Sequence, residues 1–252
     1  MFMRFLHLKI DPEFIKLLFP FHSRIVIPAL QKAEGCLFAG LIQNNHSTSE
    51  CIAITLWQTK KQAESYEKSD AYGKLMEQVK PYLSESMEWK IQLSENLELQ
   101  YQSEKEEPVS REFIVTAQKA MDDELKDRFT PFYVRLVSVK CQPDRVDDFL
   151  QIYSTEIVPV LNSMPGCRYI YLSENLHQEN EIISITVWDS KEDADRYEKS
   201  GLFRDLIKKV EHTFSRFYQW KMDLENNMKG KIKTSEDLQV NSYELVSGKR
   251  FM

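Results

Sequence analysis

The chain has 252 residues, of which 42% are hydrophobic, 29% charged and 12% aromatic, so it has the length of one or two domains and is too apolar for general disorder. Its formal net charge of −6 provides no overall positive field and argues against a nucleic-acid partner. The N-terminal segment has no uninterrupted apolar run, and we find no stretch of about 18 apolar residues. We therefore expect a cytoplasmic protein without membrane contact.

The first half of the chain alternates predicted strands and helices. Apolar residues at every second position predict strands, and apolar residues three and four positions apart predict helices. The predicted order is strand, helix, two strands, helix and two strands, at 2–10, 12–33, 36–43, 50–57, 59–82, 86–93 and 109–116. Pro20 is expected to bend the first helix.

The second half repeats this order of elements. Strands are predicted at 133–140, 168–173, 181–188, 217–224 and 240–247, and helices at 144–161 and from Ser190 with a break near Ser200 and Gly201. The segment 94–108 is charged and is predicted to carry no chemistry. The segment 117–131 is predicted as a short solvated helix that joins the halves.

The two halves are also similar in sequence. Three aromatic pairs, Trp57 and Trp188, Tyr66 and Tyr197, and Trp89 and Trp220, are each 131 positions apart. Aligned without gaps at this distance, 22 of the 59 positions from Gly35 to Leu93 are identical. We predict a duplicated domain, with repeats at 1–119 and 132–252 and a linker at 120–131.

The element order predicts an α+β fold. A βαββαβ unit is the ferredoxin-like arrangement, in which helices cover one face of an antiparallel sheet, and each repeat here adds a C-terminal strand. The predicted strands are apolar on both faces, so the second face must also be covered. We expect the two sheets to pack face to face within one chain.

One motif carries a family resemblance. Ile-x-Ile-Thr-x-Trp followed by Lys-x-x-Ala-x-x-Tyr-Glu-Lys-Ser, at 52–69 and 183–200, resembles the antibiotic biosynthesis monooxygenase family of dimeric α+β barrels. The resemblance implies an intrachain pseudo-dimeric barrel, with 109–116 and 240–247 as candidate exchanged strands. It also implies sites between sheet and helices, and oxygenation of a small aromatic or quinol by O2 without cofactor or metal.

A heme-degrading branch of the same superfamily gives a different expectation. Its asparagine, tryptophan and histidine positions read Arg135, Tyr197 and Ile207 in the second repeat, and Arg4, Tyr66 and Met76 in the first. Without a histidine to bind iron there, the resemblance favours the fold more than heme degradation.

Arg4 and Arg135 are the first candidate catalytic residues. Each lies within the apolar alternation of a predicted strand, and a buried guanidinium needs a carboxylate or an anionic ligand. They are interpreted either as anchors for a phenolate or carboxylate substrate, or as halves of internal ion pairs with a helix glutamate.

The other candidates are aromatic and amide residues. Tyr66 and Tyr197 either orient or deprotonate a substrate hydroxyl as catalytic residues, or pack in the core. Trp57 and Trp188 either stack on a bound ring or pack. The remaining candidate substrate-binding residues are Asn44 and Asn175, in the loops that also contain the duplicated histidines His46 and His177.

Two classes of function therefore remain. The first is a cofactor-independent monooxygenase acting on a small aromatic molecule, and the second is a non-catalytic small-molecule-binding or stress-related protein. Heme binding through another histidine is a third, weaker hypothesis. We expect a monomer with an internal pseudo-dimer, with further self-association left open.

Overall fold

The structure is a computed structural model that describes residues 1–93, 99–105, 107–120, 132–178, 180–216, 218 and 238–251. For 86–93, 99–105 and 118–120 it describes the backbone alone. The chain forms two compact units, unit 1 with Met1–Arg111 and Val246–Met252, and unit 2 with Glu112–Leu245. The predicted division into repeats at 1–119 and 132–252 stays a prediction, and most of the predicted linker, 121–131, lies outside the described residues.

Unit 1 contains most of the first repeat. Its elements are β1 (Phe2–Lys9), α1 (Ile15–Phe21), α2 (Ile27–Gln31), β2 (Cys36–Asn44), β3 (Glu50–Trp57), α3 (Lys60–Glu67), α4 (Asp70–Val79), β4 (Glu85–Leu93), β5 (Leu99–Lys105) and the start of β6 (Val109–Ala120). In its sheet, β3 lies between β1 and β2 and is antiparallel to both. The register places Arg4 opposite Thr55.

Unit 2 contains most of the second repeat. Its elements are the rest of β6, β7 (Tyr133–Lys140), α5 (Val146–Ile152), α6 (Val158–Ser163), β8 (Cys167–Asn175), β9 (Glu181–Trp188), α7 (Lys191–Lys199), α8 (Leu202–Val210) and the first part of β10 (Leu238–Arg250). The strand order is β10-β7-β9-β8-β6. Arg135 lies opposite Thr186, and Val137 lies opposite Ser184.

The strands of unit 2 follow directly from their sequence. β7 alternates side chains between two faces, and Val134 and Leu136 on one face are as buried as Arg135 and Val139 on the other. α7 begins where Ser190, as N-cap, accepts a hydrogen bond from the backbone N–H of Asp193 at 3.2 Å. One face of the sheet lies against α5, α6 and α8, since residues of all four line the same cavity.

Both units contain a π-helical turn in the first helical region. Five residues, His22–Val26 in unit 1 and Tyr153–Ile157 in unit 2, separate the two short α-helices. A proline lies two positions after the end of each turn, at Pro28 and Pro159. Proline has no N–H and clashes with the carbonyl four residues earlier. The wider turn accommodates this clash, and its first residue, His22 or Tyr153, is buried.

Several predicted elements need correction. β5 lies in the segment 94–108, for which no strand was predicted, and it pairs with β4 in a separate two-stranded sheet. Residues 117–120 continue β6 as a strand and are not helical. Of the strand predicted at 217–224, the structure describes only Tyr218, whose backbone is helical. The strand beside β7 is instead β10.

The α+β class is confirmed, with antiparallel sheets and helices. Of the candidate exchanged strands, β6 pairs with β8 of unit 2 through Phe113–Ala120, and the backbone N–H of Phe251, just past β10, donates to the Leu37 carbonyl of unit 1 at 2.8 Å. The face-to-face packing of two sheets stays a prediction. Among the described residues, no helix has the length and apolar character needed to cross a bilayer.

Candidate functional site

Arg135 is a buried cation with unused hydrogen-bond donors. Its exposed fraction is 3%, and its Nε and Nη2 have no hydrogen-bond partner. The carboxylate of Glu198 lies 3.7 Å from Nη2, beyond hydrogen-bond distance, and that side chain is 57% exposed. A buried donor without a partner costs free energy, so the guanidinium is suited to receive an oxygen from a ligand.

Two aromatic rings flank the Arg135 guanidinium. Its Cζ lies 3.9 Å from the ring centre of Phe203 and 5.7 Å from that of Tyr197. Burial raises the pKa of Tyr197 to about 12, while the charge of Arg135 and a hydrogen bond with it act in the opposite direction. Tyr197 is therefore a neutral phenol at pH 7, which can hold a proton or donate one but is not a general base.

Trp188 fixes the position of Tyr197. The two rings stack with centres 5.2 Å apart, and the indole N–H of Trp188 donates to Thr186 Oγ1 at 2.9 Å. Trp188 is fully buried and is not part of the cavity wall, whereas Thr186 and Tyr197 are. Its position fits the packing interpretation, in which it orients the residues that face the cavity.

A second polar group lies along the same wall. The hydroxyls of Tyr153, from the π-helical turn, and Ser184, from β9, are 2.6 Å apart. Tyr153 is buried, which raises its pKa above the usual range. Both residues line the cavity, and neither was proposed as a site residue from the sequence, because Tyr153 fits the apolar stripe of its helix and Ser184 fits the alternation of its strand.

The cavity of unit 2 lies between its sheet and its helices and measures about 50 Å³. One face of α8 forms one wall with Phe203, Leu206, Ile207 and Val210. The polar lining residues are Arg135, Tyr153, Ser184, Thr186 and Tyr197. An apolar cavity that binds benzene measures about 150 Å³, so this space holds a few waters, and a ring enters only if Phe203 or its helix moves.

Unit 1 has the equivalent residues in a different arrangement. Arg4 is 7% exposed and forms an ion pair with Glu67, with 3.0 Å between Nη2 and Oε2. Tyr66 stacks on Trp57 at 5.4 Å, and Trp57 donates to Thr55 at 2.9 Å, as in unit 2. Burial raises the pKa of Tyr66 to about 12. The predicted ion pair with a helix glutamate is thus close for Arg4 and longer for Arg135, at 3.7 Å from Glu198, and the anchor role of either arginine stays a prediction.

The π-helical turn of unit 1 carries a histidine. His22 is 3% exposed, and its Nδ1 lies 2.8 Å from the Ser247 hydroxyl. Burial lowers its pKa to about 4, so it is neutral at pH 7. The position equivalent to Ser184 is Ala53. The hydroxyl pair of unit 2 thus has no equivalent pair of side chains in unit 1.

Asn44 and Asn175 lie in the β2–β3 and β8–β9 loops and are not among the cavity-lining residues. Asn44 Oδ1 accepts from the backbone N–H of His46 at 2.8 Å, and Asn175 Oδ1 accepts from that of His177 at 2.9 Å. Their amide groups also donate to Glu50 and Glu181. These bonds stabilise the loops, and a substrate-binding role for either asparagine stays a prediction.

Cys36 and Cys167 are buried free thiols at the starts of β2 and β8. Burial raises the pKa of each to about 12, which keeps them protonated and unreactive. Within the described part of the chain, no three His, Cys, Asp or Glu side chains are grouped as metal ligands would be.

Solved structures with this fold include bacterial proteins that carry monooxygenase names. A Fusobacterium nucleatum protein provisionally named a monooxygenase superposes with a TM-score of 0.68 at 11% identity, over 99% of this chain and 94% of that one. A Lactobacillus acidophilus protein with the same provisional name gives 0.64 at 14% identity, over 99% and 95%. An anthrone oxidase-like protein gives 0.60 at 13% identity, over 99% and 92%. At these identities the likeness concerns the fold alone.

The sequence comparison is more specific. Among curated proteins, none matches the sequence significantly. Residues 132–209 match the antibiotic biosynthesis monooxygenase family, and this range contains Arg135, Tyr153, Ser184, Tyr197 and Phe203. The resemblance predicted from the sequence motif is confirmed for this range. Residues 132–209, which hold the candidate site of unit 2, are thus the part of the chain that is similar to the antibiotic biosynthesis monooxygenase family.

Proposed function

We propose that unit 2 is a monooxygenase-type site that binds a small aromatic or quinol substrate as its oxygen anion and presents it to O2. The observation that carries this proposal is the buried Arg135, which lines the cavity and whose Nε and Nη2 have no hydrogen-bond partner. An oxygen anion would satisfy both nitrogens and neutralise the charge. An electron-rich phenolate held in this way is the form of such a ring that O2 oxidises most readily.

Tyr197 would position the substrate and supply a proton. Its phenol is neutral at pH 7, lies beside Arg135 and is held in place by Trp188. The neutral phenol can donate a hydrogen bond to oxygen that becomes negatively charged during the reaction. The apolar residues of α8 and of the first helical region would exclude water from that oxygen.

Oxygen consumption with a panel of hydroquinones tests the proposal. We expect turnover in the wild type, and a decrease of more than tenfold in Arg135→Ala and in Tyr197→Phe, with the fold retained in both. Arg4→Ala is the matched control, because Arg4 already has Glu67 as a partner, and should retain most of the turnover. Unchanged rates in both unit 2 variants would remove these residues from the mechanism.

A second candidate function is favoured by the residues that stand at the polar positions of the heme-degrading branch, Arg135, Tyr197 and Ile207. It is a protein that binds a small molecule without converting it. In that case the same panel would bind in an Arg135-dependent way without oxygen consumption. The intrachain pseudo-dimeric barrel, the absence of a cofactor and the cytoplasmic location are parts of the proposal that rest on the sequence and on the family resemblance.

A further inference from the structure

The hydroxyls of Tyr153 and Ser184 can make one more hydrogen bond than they make with each other. Together they carry two hydroxyl hydrogens, and the contact at 2.6 Å uses one of them, whichever residue is the donor. The other hydrogen remains for an acceptor. Both residues face the cavity, so a bound molecule is well placed to supply that acceptor.

The register of the sheet fixes where this pair lies relative to Arg135. Arg135 is opposite Thr186, and Ser184 is two residues further along β9 on the same face. Two residues of an antiparallel strand span about 6.8 Å, which is comparable to the length of one aromatic ring with its substituents. The sheet side of the cavity therefore carries a cation at Arg135 and a hydroxyl at Ser184 whose backbone positions are separated by about this length.

The hydroxyl pair is not a requirement of the fold. At the equivalent positions unit 1 has His22 and Ala53, and it builds the same strands and the same π-helical turn without them. A polar pair that one unit has and the other lacks, in a cavity wall, is better explained by a ligand than by stability.

We propose that Ser184, held by Tyr153, is the second anchor of the site and selects a ring with oxygen atoms at opposite ends, of the 1,4-hydroquinone type. This inference rests on the proposed function, because it takes Arg135 as the first anchor. Arg135 binds the ionised oxygen. In this arrangement the Tyr153 hydroxyl donates to Ser184 Oγ, and the Ser184 hydroxyl donates its own hydrogen to the oxygen at the other end of the ring. Ser184 is a specificity-determining residue, and Tyr153 is a positioning residue that acts through it.

Calorimetric titration without oxygen tests the proposal, with 1,4-hydroquinone and phenol as probes. We expect the wild type to bind hydroquinone about five- to tenfold more tightly than phenol, the range that one additional hydrogen bond supplies. In Ser184→Ala this ratio should fall close to one with the affinity for phenol unchanged. Ser184→Thr keeps the hydroxyl and should restore the preference, which separates the hydrogen bond from a packing effect.

Ala53→Ser in unit 1 is the matched control and should leave the ratio at the wild-type value. A wild-type ratio near one, or a ratio that Ser184→Ala does not change, would overturn the inference while Arg135-dependent binding of phenol leaves the proposed function standing. If neither probe binds to the wild type, or if binding persists in Arg135→Ala, the proposed site itself is overturned and this inference with it.

Discussion

Units 1 and 2 share a framework and differ at the places where a ligand would bind. Each has an arginine on its first strand, a tyrosine stacked on a tryptophan, and a threonine that accepts from that tryptophan. In unit 1 the arginine lies 3.0 Å from the carboxylate of Glu67, whereas in unit 2 the distance to the carboxylate of Glu198 is 3.7 Å and the Nη2 of Arg135 has no hydrogen-bond partner. The two units thus share the residues that position the tyrosine and differ in the distance between the arginine and its glutamate.

The first helical region shows the same separation between framework and function. Both units have the π-helical turn, which follows from the proline at Pro28 or Pro159. The residue that this turn buries is His22 in unit 1 and Tyr153 in unit 2. The ring nitrogen of His22 contacts the Ser247 hydroxyl, and the hydroxyl of Tyr153 contacts that of Ser184. The same π-helical turn thus carries an imidazole in unit 1 and a phenol in unit 2.

The largest expected effect on the free energy of unfolding is its pH dependence through His22. Its pKa is about 4 in the folded protein and 6.5 in the unfolded chain, so the unfolded chain takes up the proton first as the pH falls. The stabilising contribution of neutral His22 is fully present above pH 6.5, is lost progressively down to about pH 4 and changes no further below that. Over this range it amounts to about 3 kcal/mol.

Urea denaturation of the wild type and of His22→Gln between pH 7 and pH 4 measures this effect. The glutamine side chain does not titrate, so the variant should lose about 3 kcal/mol less than the wild type over this interval. Tyr153→Phe is the control in unit 2 and should parallel the wild type, since the Tyr153 phenol does not ionise in this range. Parallel curves for all three proteins would show that His22 is solvated or already charged.

Much of the framework could be predicted from sequence. The strand at 133–140 has the predicted bounds, and the break near Ser200 and Gly201 lies between α7 and α8. Alternation and capping residues are local signals that survive folding. β5 was missed because it has only two apolar residues, Leu99 and Tyr101, in a segment rich in charged and amide side chains.

Some residues of the candidate site could be predicted from the sequence and others could not, for a physical reason. Arg135 and Tyr197 were identified because a cation in an apolar strand and a duplicated phenol are unusual in sequence. Ser184 and Phe203 are ordinary residues at ordinary positions, and only the strand register and the turn before α8 bring them to the same cavity. The difference between Arg4 and Arg135 was invisible, because both have an equivalent glutamate, Glu67 or Glu198, and only distance separates them.

The next effect in size is a difference in stability between the two arginine positions. Arg135→Met removes a buried charge with unused donors and should leave stability unchanged or raise it by about 1 kcal/mol. Arg4→Met breaks the ion pair with Glu67, a partner that is 40% exposed, and should lower stability by about 1 kcal/mol. Chemical denaturation of both variants at pH 7 gives the two signs.

The two substitutions are thus expected to change stability in opposite directions. A gain in stability together with a loss of ligand binding is typical of a functional residue that the fold does not need. If Arg135→Met is the more destabilising of the two, Arg135 belongs to the framework, and the distinction drawn between the units is wrong.

The smallest expected effect on stability concerns the residue that connects the two helices of the second helical region. In unit 2, Gly201 precedes α8 with φ of +85°, while in unit 1 the equivalent Asp70 begins α4 directly after its N-cap, Ser69. A β-carbon at Gly201 would meet nothing within 4 Å, so Gly201→Ala should cost about 1 kcal/mol through backbone strain alone.

Gly73 provides the matched substitution in unit 1. It lies exposed within α4, its added β-carbon would also meet nothing within 4 Å, and its φ is not positive. Gly73→Ala should therefore stabilise the protein by about 0.5–1 kcal/mol, opposite in sign to Gly201→Ala. Thermal unfolding of both variants measures the sign of each change in stability. Equal stabilisation would mean that Gly201 tolerates an ordinary helical backbone, and that α8, with Phe203 on it, joins α7 in the same way as α4 joins α3.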